Sequence, residues 1–162
     1  MSVFDAVVMY DIHVINKKGE IMGTYTTYEC PMCGKKVKLN EGLGMMWCRF
    51  DKSMFYKPKG GFGLNFYSEL DKKTLEEVHK FIEEAGDVIV DEAYYQPYIC
   101  KECGKIESKL FFKIYADGKT YSPKYSCKCG HRYKKLTEKE QEHLHCNKCG
   151  CKMVVKDEMY WD

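Results

Sequence analysis

The sequence predicts an α+β fold made of small antiparallel sheets, one main helix and several tight cysteine loops. Short apolar segments bounded by turn residues are typical of strands. Only residues 71–85 show the clear periodicity of an amphipathic helix. Eight of the ten cysteines form four close pairs, and glycine directly follows each pair. The pairs are Cys30 and Cys33, Cys100 and Cys103, Cys127 and Cys129, and Cys146 and Cys149.

The beginning of the chain predicts a β-hairpin. Residues 3–15 are rich in β-branched and aromatic side chains, and residues 20–28 contain three threonines and two tyrosines. Between them, Asn16 to Gly19 has the composition of a turn. A further short strand is predicted at residues 64–67, after a glycine-rich loop.

The predicted helix has a start signal, an apolar face and a stop signal. Asp71 is suited to cap its N-terminus, and Gly86 supplies the C-terminal stop. Leu75, Val78 and Ile82 recur at helical spacing on one face, whereas the other face is charged. We therefore expect this helix to pack on an antiparallel sheet.

The composition and the N-terminal sequence favour a reducing compartment, in which the cysteines remain thiols. The 162 residues suffice for one domain or two small ones, and 44% of them are hydrophobic. No basic region precedes the first apolar run, which contains Asp5 and Asp11, and no apolar run reaches the roughly 20 residues that span a bilayer. We expect a cytoplasmic protein without membrane contact, in which clustered cysteines bind metal rather than form disulfides.

The charge distribution suggests two modules. Residues 1–99 carry 12 Lys and Arg against 15 Asp and Glu, whereas residues 100–162 carry 14 against 9. We predict an α+β module over residues 1–97, containing the hairpin, the first cysteine loop and the helix. Residues 98–162 are predicted to form the second module.

The two cysteine pairs nearest the C-terminus predict a closed metal site. A thiolate pair followed by glycine allows the loop to curl around a metal, because glycine tolerates positive φ. Four thiolates surround Zn²⁺ tetrahedrally. Thr137 and Glu140 have the spacing of a capping box for a short helix between the pairs. We assign Cys127, Cys129, Cys146 and Cys149 to this site. Cys151 is left over as a free thiol or a neighbour of the site.

The last third of the chain resembles a known family. The pattern C-x-C-G-H-x-Tyr, a polar linker and C-x-x-C-G-x-x-Met is similar to zinc ribbons with rubredoxin-type knuckles. Such ribbons occur in many regulatory and RNA-polymerase-associated proteins. The resemblance implies a metal and a local zinc-ribbon fold, and it implies no specific activity.

The loop at Cys30 and Cys33 can be completed in two ways. The flanks Tyr28-Glu29 and Gly34-Lys35 resemble those of the loop at Cys100 and Cys103, which favours joining these two pairs into one site. Cys48 and Asp51 are the alternative, because Zn²⁺ also accepts carboxylate oxygen. Either way, we predict two Zn²⁺ per chain.

A basic, aromatic segment suggests contact with nucleic acid. Residues 108–135 contain eight Lys and Arg and a single acid, and alternation over residues 107–116 places lysines and aromatic rings on one strand face. Lysines neutralise phosphates and rings stack on bases. The candidate residues are Lys109, Phe111, Lys113, Tyr115, Lys128, Arg132, Lys134 and Lys135. An aromatic core with lysines on its outside is the other interpretation of this pattern.

These observations favour a non-enzymatic, zinc-stabilised binding protein that contacts DNA, RNA or a nucleic-acid-processing complex. A protein–protein adaptor with purely structural zinc is the alternative. The sequence has no HExxH or HxE…CxxC pattern, so a catalytic zinc is not predicted. Electron transfer by iron is disfavoured, because Cys127 and Cys129 depart from the C-x-x-C spacing of rubredoxin.

Overall fold

A computed structural model describes residues 23–42, 51–58 and 65–161. Over these residues the fold is α+β with two small antiparallel sheets and one main helix, as predicted. The strands are β1 (Gly23–Glu29), β2 (Lys36–Glu41), β3 (Ile89–Cys100), β4 (Ile106–Ala116), β5 (Lys119–Tyr121), β6 (Tyr133–Lys135) and β7 (Val154–Trp161). The helices are α1 (Phe66–Glu69), α2 (Lys72–Ala85) and α3 (Glu138–Gln141), and Lys52–Phe55 forms a 3₁₀-helix.

The two sheets share one arrangement of three strands. In the sequence, the strands of the second sheet lie between the second and third strands of the first. The first sheet has the strand order β2-β1-β7, and the second has the order β5-β4-β3-β6. In each, a cysteine loop joins two antiparallel strands, β1 to β2 or β3 to β4, and a third strand pairs with the first of them. We call these units the outer ribbon (β1, β2, β7) and the inner ribbon (β3, β4, β6). The inner ribbon is inserted between β2 and β7.

Helix α2 packs on one face of the inner ribbon. Asp71 caps it by accepting a hydrogen bond from the Thr74 amide at 2.9 Å, and it ends at Gly86, which has a φ of 80°. Val78 and Ile82 are buried against the alternate residues of β4. Those residues are Leu110, Phe112 and Ile114. The lysine-bearing face of β4 therefore points away from the helix.

One predicted strand is a helix instead. Residues 64–67 were expected to be extended, but Phe66–Glu69 forms α1. Phe66 is fully buried, with its ring 5.5 Å from that of Phe55 and 6.0 Å from that of Phe112. Burial of this aromatic ring outweighs the local β-propensity that the sequence suggested.

A second, smaller core lies between the ribbons. It contains Tyr28 and Leu39 from the outer ribbon, and Leu136, Leu144 and Met153 from the segments around α3. Ile99 and Ile106 of the inner ribbon pack against it. The two ribbons therefore share apolar contacts next to their cysteine loops.

The N-terminal hairpin can be compared with the structure only in part. Its first strand, residues 3–15, lies outside the described residues, whereas β1 corresponds to the second. β1 pairs with β2 and β7, and β3 continues without interruption through residue 97. The first sheet therefore combines strands from both sides of that position. No helix among the described residues is long and apolar enough to span a membrane.

Candidate metal centres

The eight paired cysteines come together in two clusters of four. Cys30, Cys33, Cys146 and Cys149 form the outer-ribbon cluster, and Cys100, Cys103, Cys127 and Cys129 form the inner-ribbon cluster. In each cluster all four ligand atoms lie within 4.8 Å of one another. The closest Sγ–Sγ separations across the pairs are 3.4 to 3.6 Å. Sulfurs around a tetrahedral metal with 2.3 Å bonds would be about 3.8 Å apart, so the donor set and its size fit a metal ion.

The pairing of the cysteine loops differs from the one predicted. Cys127 and Cys129 were assigned to a site with Cys146 and Cys149, and Cys30 and Cys33 to one with Cys100 and Cys103; both assignments are wrong. Pairing of β7 with β1 brings residues 146–149 to the first loop. Pairing of β6 with β3 brings residues 127–129 to the loop at Cys100.

The sequence did contain a signal for the correct pairing. The matched flanks of the loops at Cys30 and Cys100 were interpreted as two halves of one site. In the structure they are equivalent positions of two ribbons, each within its own pair of strands. Matched flanks therefore indicated repetition, and each copy requires its own second loop.

Asp51, one of the two alternative ligands, does not belong to the four-residue cluster at the first site. Asp51 accepts hydrogen bonds from the backbone and side chain of Ser53 and caps the 3₁₀-helix. Cys48 lies outside the described residues. Among the described residues, Cys146 and Cys149 supply the two remaining thiols.

All four loops share one backbone design. Gly34, Gly104, Gly130 and Gly150 have φ between 68° and 90°. The amide of the first cysteine donates to a carbonyl after the glycine, as from Cys30 to Lys35 at 2.8 Å and from Cys100 to Lys105 at 2.8 Å. In the shorter C-x-C loop the Cys127 amide donates to His131 at 2.7 Å, one residue earlier than in the others. The contraction is thus accommodated within the same loop closure.

Backbone hydrogen bonds lower the pKa of the first cysteine of each loop, which is Cys30 and Cys146 in the outer-ribbon cluster and Cys100 and Cys127 in the inner-ribbon cluster. The backbone of Cys129 hydrogen-bonds the Cys127 sulfur and, with the Tyr133 hydroxyl, lowers the pKa of Cys127 to about 6. The backbone of Lys148 is the main cause that lowers the pKa of Cys146 to about 6. A thiolate is the form that binds metal, so the loops are preorganised for ligation.

The surroundings of the two clusters differ. Near the inner-ribbon cluster, Nδ1 of His131 lies 3.6 Å from the Cys129 sulfur, and the Tyr133 hydroxyl contacts Cys127. Near the outer-ribbon cluster, the backbone of Cys151 hydrogen-bonds Cys149, while the Cys151 side chain is half-buried beside the smaller core. Cys151 is therefore outside the four-cysteine cluster, and its thiol is not needed to complete it.

Replacement of Cys151 should leave metal binding unchanged. In a Cys151→Ser variant the backbone amide that contacts Cys149 is retained and the ligand set is complete. We expect the same metal-to-protein ratio as in the unmodified chain, measured by elemental analysis. Cys149→Ser is the matched comparison two residues away, and it should lose one metal. Loss of metal from Cys151→Ser with retention in Cys149→Ser would show that Cys151 and not Cys149 is the ligand.

The predicted nucleic-acid residues divide into two groups. Lys109 is only 23% exposed, lies 3.0 Å from Glu107, and sits 5.1 Å from the ring centres of both Tyr125 and Tyr133. Burial raises the pKa of Glu107, but Lys105 and Lys109 outweigh it and hold that pKa at about 2. Lys109 therefore has an internal partner.

The other candidates lie nearer to solvent. Phe111 and Tyr94 of β3 form a half-buried ring pair 5.2 Å apart. Lys135 lies 5.9 Å from the Tyr94 ring, and Lys113 lies 5.1 Å from the ring of the exposed Tyr115. Lys128, Arg132 and Lys134 are exposed on and beside β6. The structure brings Phe111, Lys113, Tyr115 and Lys135 onto one sheet face, where β3–β4 and β3–β6 register aligns them.

Comparison of the chain with protein-family models, with curated proteins and with solved structures gives no significant match. The two four-cysteine clusters are compatible with the zinc-ribbon resemblance of the sequence. What the structure defines is therefore a class: an α+β chain with two candidate metal centres, each between a strand pair and a second cysteine loop.

Proposed function

We propose that this chain is a zinc-stabilised, non-enzymatic nucleic-acid-binding protein. Its contact surface would be the basic aromatic face, which we define as Tyr94, Phe111, Lys113, Tyr115 and Lys135. The ring pair of Tyr94 and Phe111, with Lys135 above it, is the observation that carries the proposal. Half-exposed rings can stack on bases while adjacent lysines meet phosphates, and this combination suits a single strand.

Zinc is the metal we propose for both clusters. Four thiolates per cluster match the closed tetrahedral set of structural zinc and leave no ligand position for a substrate. Ferric iron would take the same set, and absorbance separates the two, because a ferric tetrathiolate is coloured and Zn²⁺ is not. The two exposed histidines closest to the outer-ribbon cluster in sequence, His143 and His145, are not needed by a site that already has four sulfurs.

Removing two lysines from the basic aromatic face should weaken nucleic-acid binding and its salt dependence. We expect the double variant Lys113→Gln, Lys135→Gln to reduce the magnitude of the log–log salt slope on single strands by roughly 1.4, at roughly 0.7 per phosphate contact. Fluorescence anisotropy with a labelled single-stranded oligonucleotide at several salt concentrations measures this. The metal content should stay unchanged, because neither lysine is one of the candidate metal ligands.

The matched control removes two lysines from helix α2, which packs on the opposite face of the second sheet. Lys72 and Lys80 lie on the outer face of α2 in exposed pairs with Glu76 and Glu84, at 3.7 and 3.9 Å. The variant Lys72→Gln, Lys80→Gln has the same net charge as the test variant. An equal decrease of the salt slope in both variants would mean that binding depends on overall charge. The basic aromatic face would then not be the nucleic-acid contact surface.

A protein-binding adaptor is the second candidate, and exposed apolar residues on β7 favour it. Val154, Val155, Met159 and Tyr160 are 50% to 66% exposed. β7 is an edge strand of its sheet, and an exposed apolar edge strand offers a place where another chain can pair. Absence of binding to single-stranded or duplex DNA and RNA at low salt would favour this function over the first.

A further inference from the structure

We propose that a groove between the two ribbons is a second phosphate-binding site, separate from the basic aromatic face. This inference deepens the proposed function and rests on it for the source of the phosphates. The groove has a volume of about 540 Å³ and runs between β2 and the first residues of β4. Four lysines line it, Lys35, Lys36, Lys38 and Lys105, against one acid, Glu107.

The lysines come from equivalent positions of the two ribbons. Lys35 follows the loop glycine Gly34, and Lys105 follows the loop glycine Gly104. Lys36 and Lys38 extend the row along β2 with exposed side chains. Docking of the ribbons therefore joins two short basic segments that are 70 positions apart in the sequence into one positive surface. A concave surface of a single sign concentrates the field and attracts anions.

The charges of the groove are only partly neutralised. Glu107 pairs with Lys105 and lies 3.0 Å from Lys109, so two lysines share one acid. Lys35 donates to the side-chain oxygen of Asn147, a neutral partner. Lys38 lies 5.8 Å from the Tyr25 ring centre. Glu29 is opposite Lys36 in the strand pairing, but it does not line the groove and lies 3.5 Å from Lys156.

The walls of the groove are held in place by contacts between the ribbons. The backbone amide of Asn40 donates to the Ser108 hydroxyl at 2.6 Å, and that hydroxyl donates to the backbone carbonyl of Asn40 at 3.0 Å. The Asn147 side chain donates to the Cys103 carbonyl at 3.2 Å. A Cβ added at Gly104 would lie 2.8 Å from the Asn147 Cβ, which shows how closely the two loops approach. The lysines are therefore presented by a preformed groove.

The groove can take more than an isolated anion. Tyr25 also lines it, and its ring would offer a base a stacking partner beside the phosphate contacts. Glu107, which also lines the groove, shares its strand face with Phe111, and four strand residues span roughly 13 Å. The groove and the basic aromatic face are therefore close enough for one single strand to contact both.

The test compares two charge-matched variants of the full, metal-loaded chain. In Lys36→Gln, Lys38→Gln we expect the salt slope on a single-stranded oligonucleotide to fall by roughly 1.4, as for two lost phosphate contacts. The Lys72→Gln, Lys80→Gln variant is again the control. The metal content and thermal midpoint, measured alongside, should match those of the unmodified chain, because both groove lysines are exposed and neither is a metal ligand.

The outcomes separate this inference from the proposed function. If only Lys113→Gln, Lys135→Gln lowers the slope, the groove inference is overturned and the proposed function stands. If the groove variant lowers it more than the Lys72→Gln, Lys80→Gln control does, with or without the other, the groove binds phosphate; an equal loss in the control overturns the groove inference. If neither does, both proposals fail for nucleic acid.

A titration with a free mononucleotide, followed by the NMR shifts of residues 35–38, distinguishes a small phosphate ligand from a strand. Shifts with the mononucleotide but not the oligonucleotide would keep the phosphate site and assign it another source, and the absence of shifts with either would overturn it.

Discussion

Removing the metal with a strong chelator should unfold this protein. Metal binding to a four-cysteine site contributes on the order of 10 kcal/mol, which is comparable to the total stability of a domain of this size. The smaller core includes Cys30 and Cys146 themselves, so its packing would depend on a metal that closes these loops. We expect loss of the dispersed amide spectrum and of the cooperative thermal transition on chelation, and their return when Zn²⁺ is added.

The control for chelation is the same protein with excess Zn²⁺ present, which should keep both signals. A metal-free chain that still unfolds cooperatively, with a thermal midpoint close to that of the metal-loaded protein, would contradict a structural role for the clusters. We also expect the helical signal of α2 to fall, because the larger core on which it packs includes Cys100 and Cys127 of the inner-ribbon cluster.

The two clusters should depend on one another unequally. Cys33 and Cys146 are 113 positions apart in the sequence, whereas Cys103 and Cys127 are 24 apart. Closing the longer loop costs about 1.4 kcal/mol more by chain entropy alone. In addition, Ile99 and Ile106 of the inner ribbon pack against the core beside the outer cluster. The inner ribbon can therefore form first, and the outer ribbon closes around it.

The matched substitutions are Cys129→Ser and Cys149→Ser, each at the exposed last cysteine of its loop. We expect Cys149→Ser to lose one metal and to retain the amide signals of the inner ribbon. Cys129→Ser should lose both metals and the signals of both ribbons. Native mass spectrometry counts the metals, and an amide correlation spectrum reports the folded part. Loss of one metal in each variant, with the other ribbon intact in both, would show that the ribbons fold independently.

Much of the local structure could be predicted from the sequence, because its signals are short-range. Asp71 and Gly86 mark the ends of α2, and Thr137 and Glu140 form the expected capping box at α3. Asp117 and Gly118 have φ of 46° and 73°, as their turn between β4 and β5 requires. The alternation that places Leu110, Phe112 and Ile114 in the core is likewise local.

Long-range partners could not be predicted in the same way. All four loops are cysteine pairs followed by glycine, and three of them share the C-x-x-C spacing, so spacing alone does not say which two loops meet. Strand pairing decides it, through β7 with β1 and β6 with β3. The contact of the Tyr133 hydroxyl with the Cys127 sulfur, and that of Lys109 with the Tyr133 ring, also depend on tertiary structure. Phe66 was assigned the wrong local structure because its aromatic partners are distant in the chain.

Cadmium-substituted protein offers the most direct test of the central claim, which is the pairing of the two clusters. A proton–cadmium correlation spectrum links the β-protons of each cysteine to the metal that its sulfur binds. We predict two cadmium signals, one correlated with Cys30, Cys33, Cys146 and Cys149, and the other with Cys100, Cys103, Cys127 and Cys129. A single cadmium signal correlated with Cys127, Cys129, Cys146 and Cys149 together would contradict the nested ribbons.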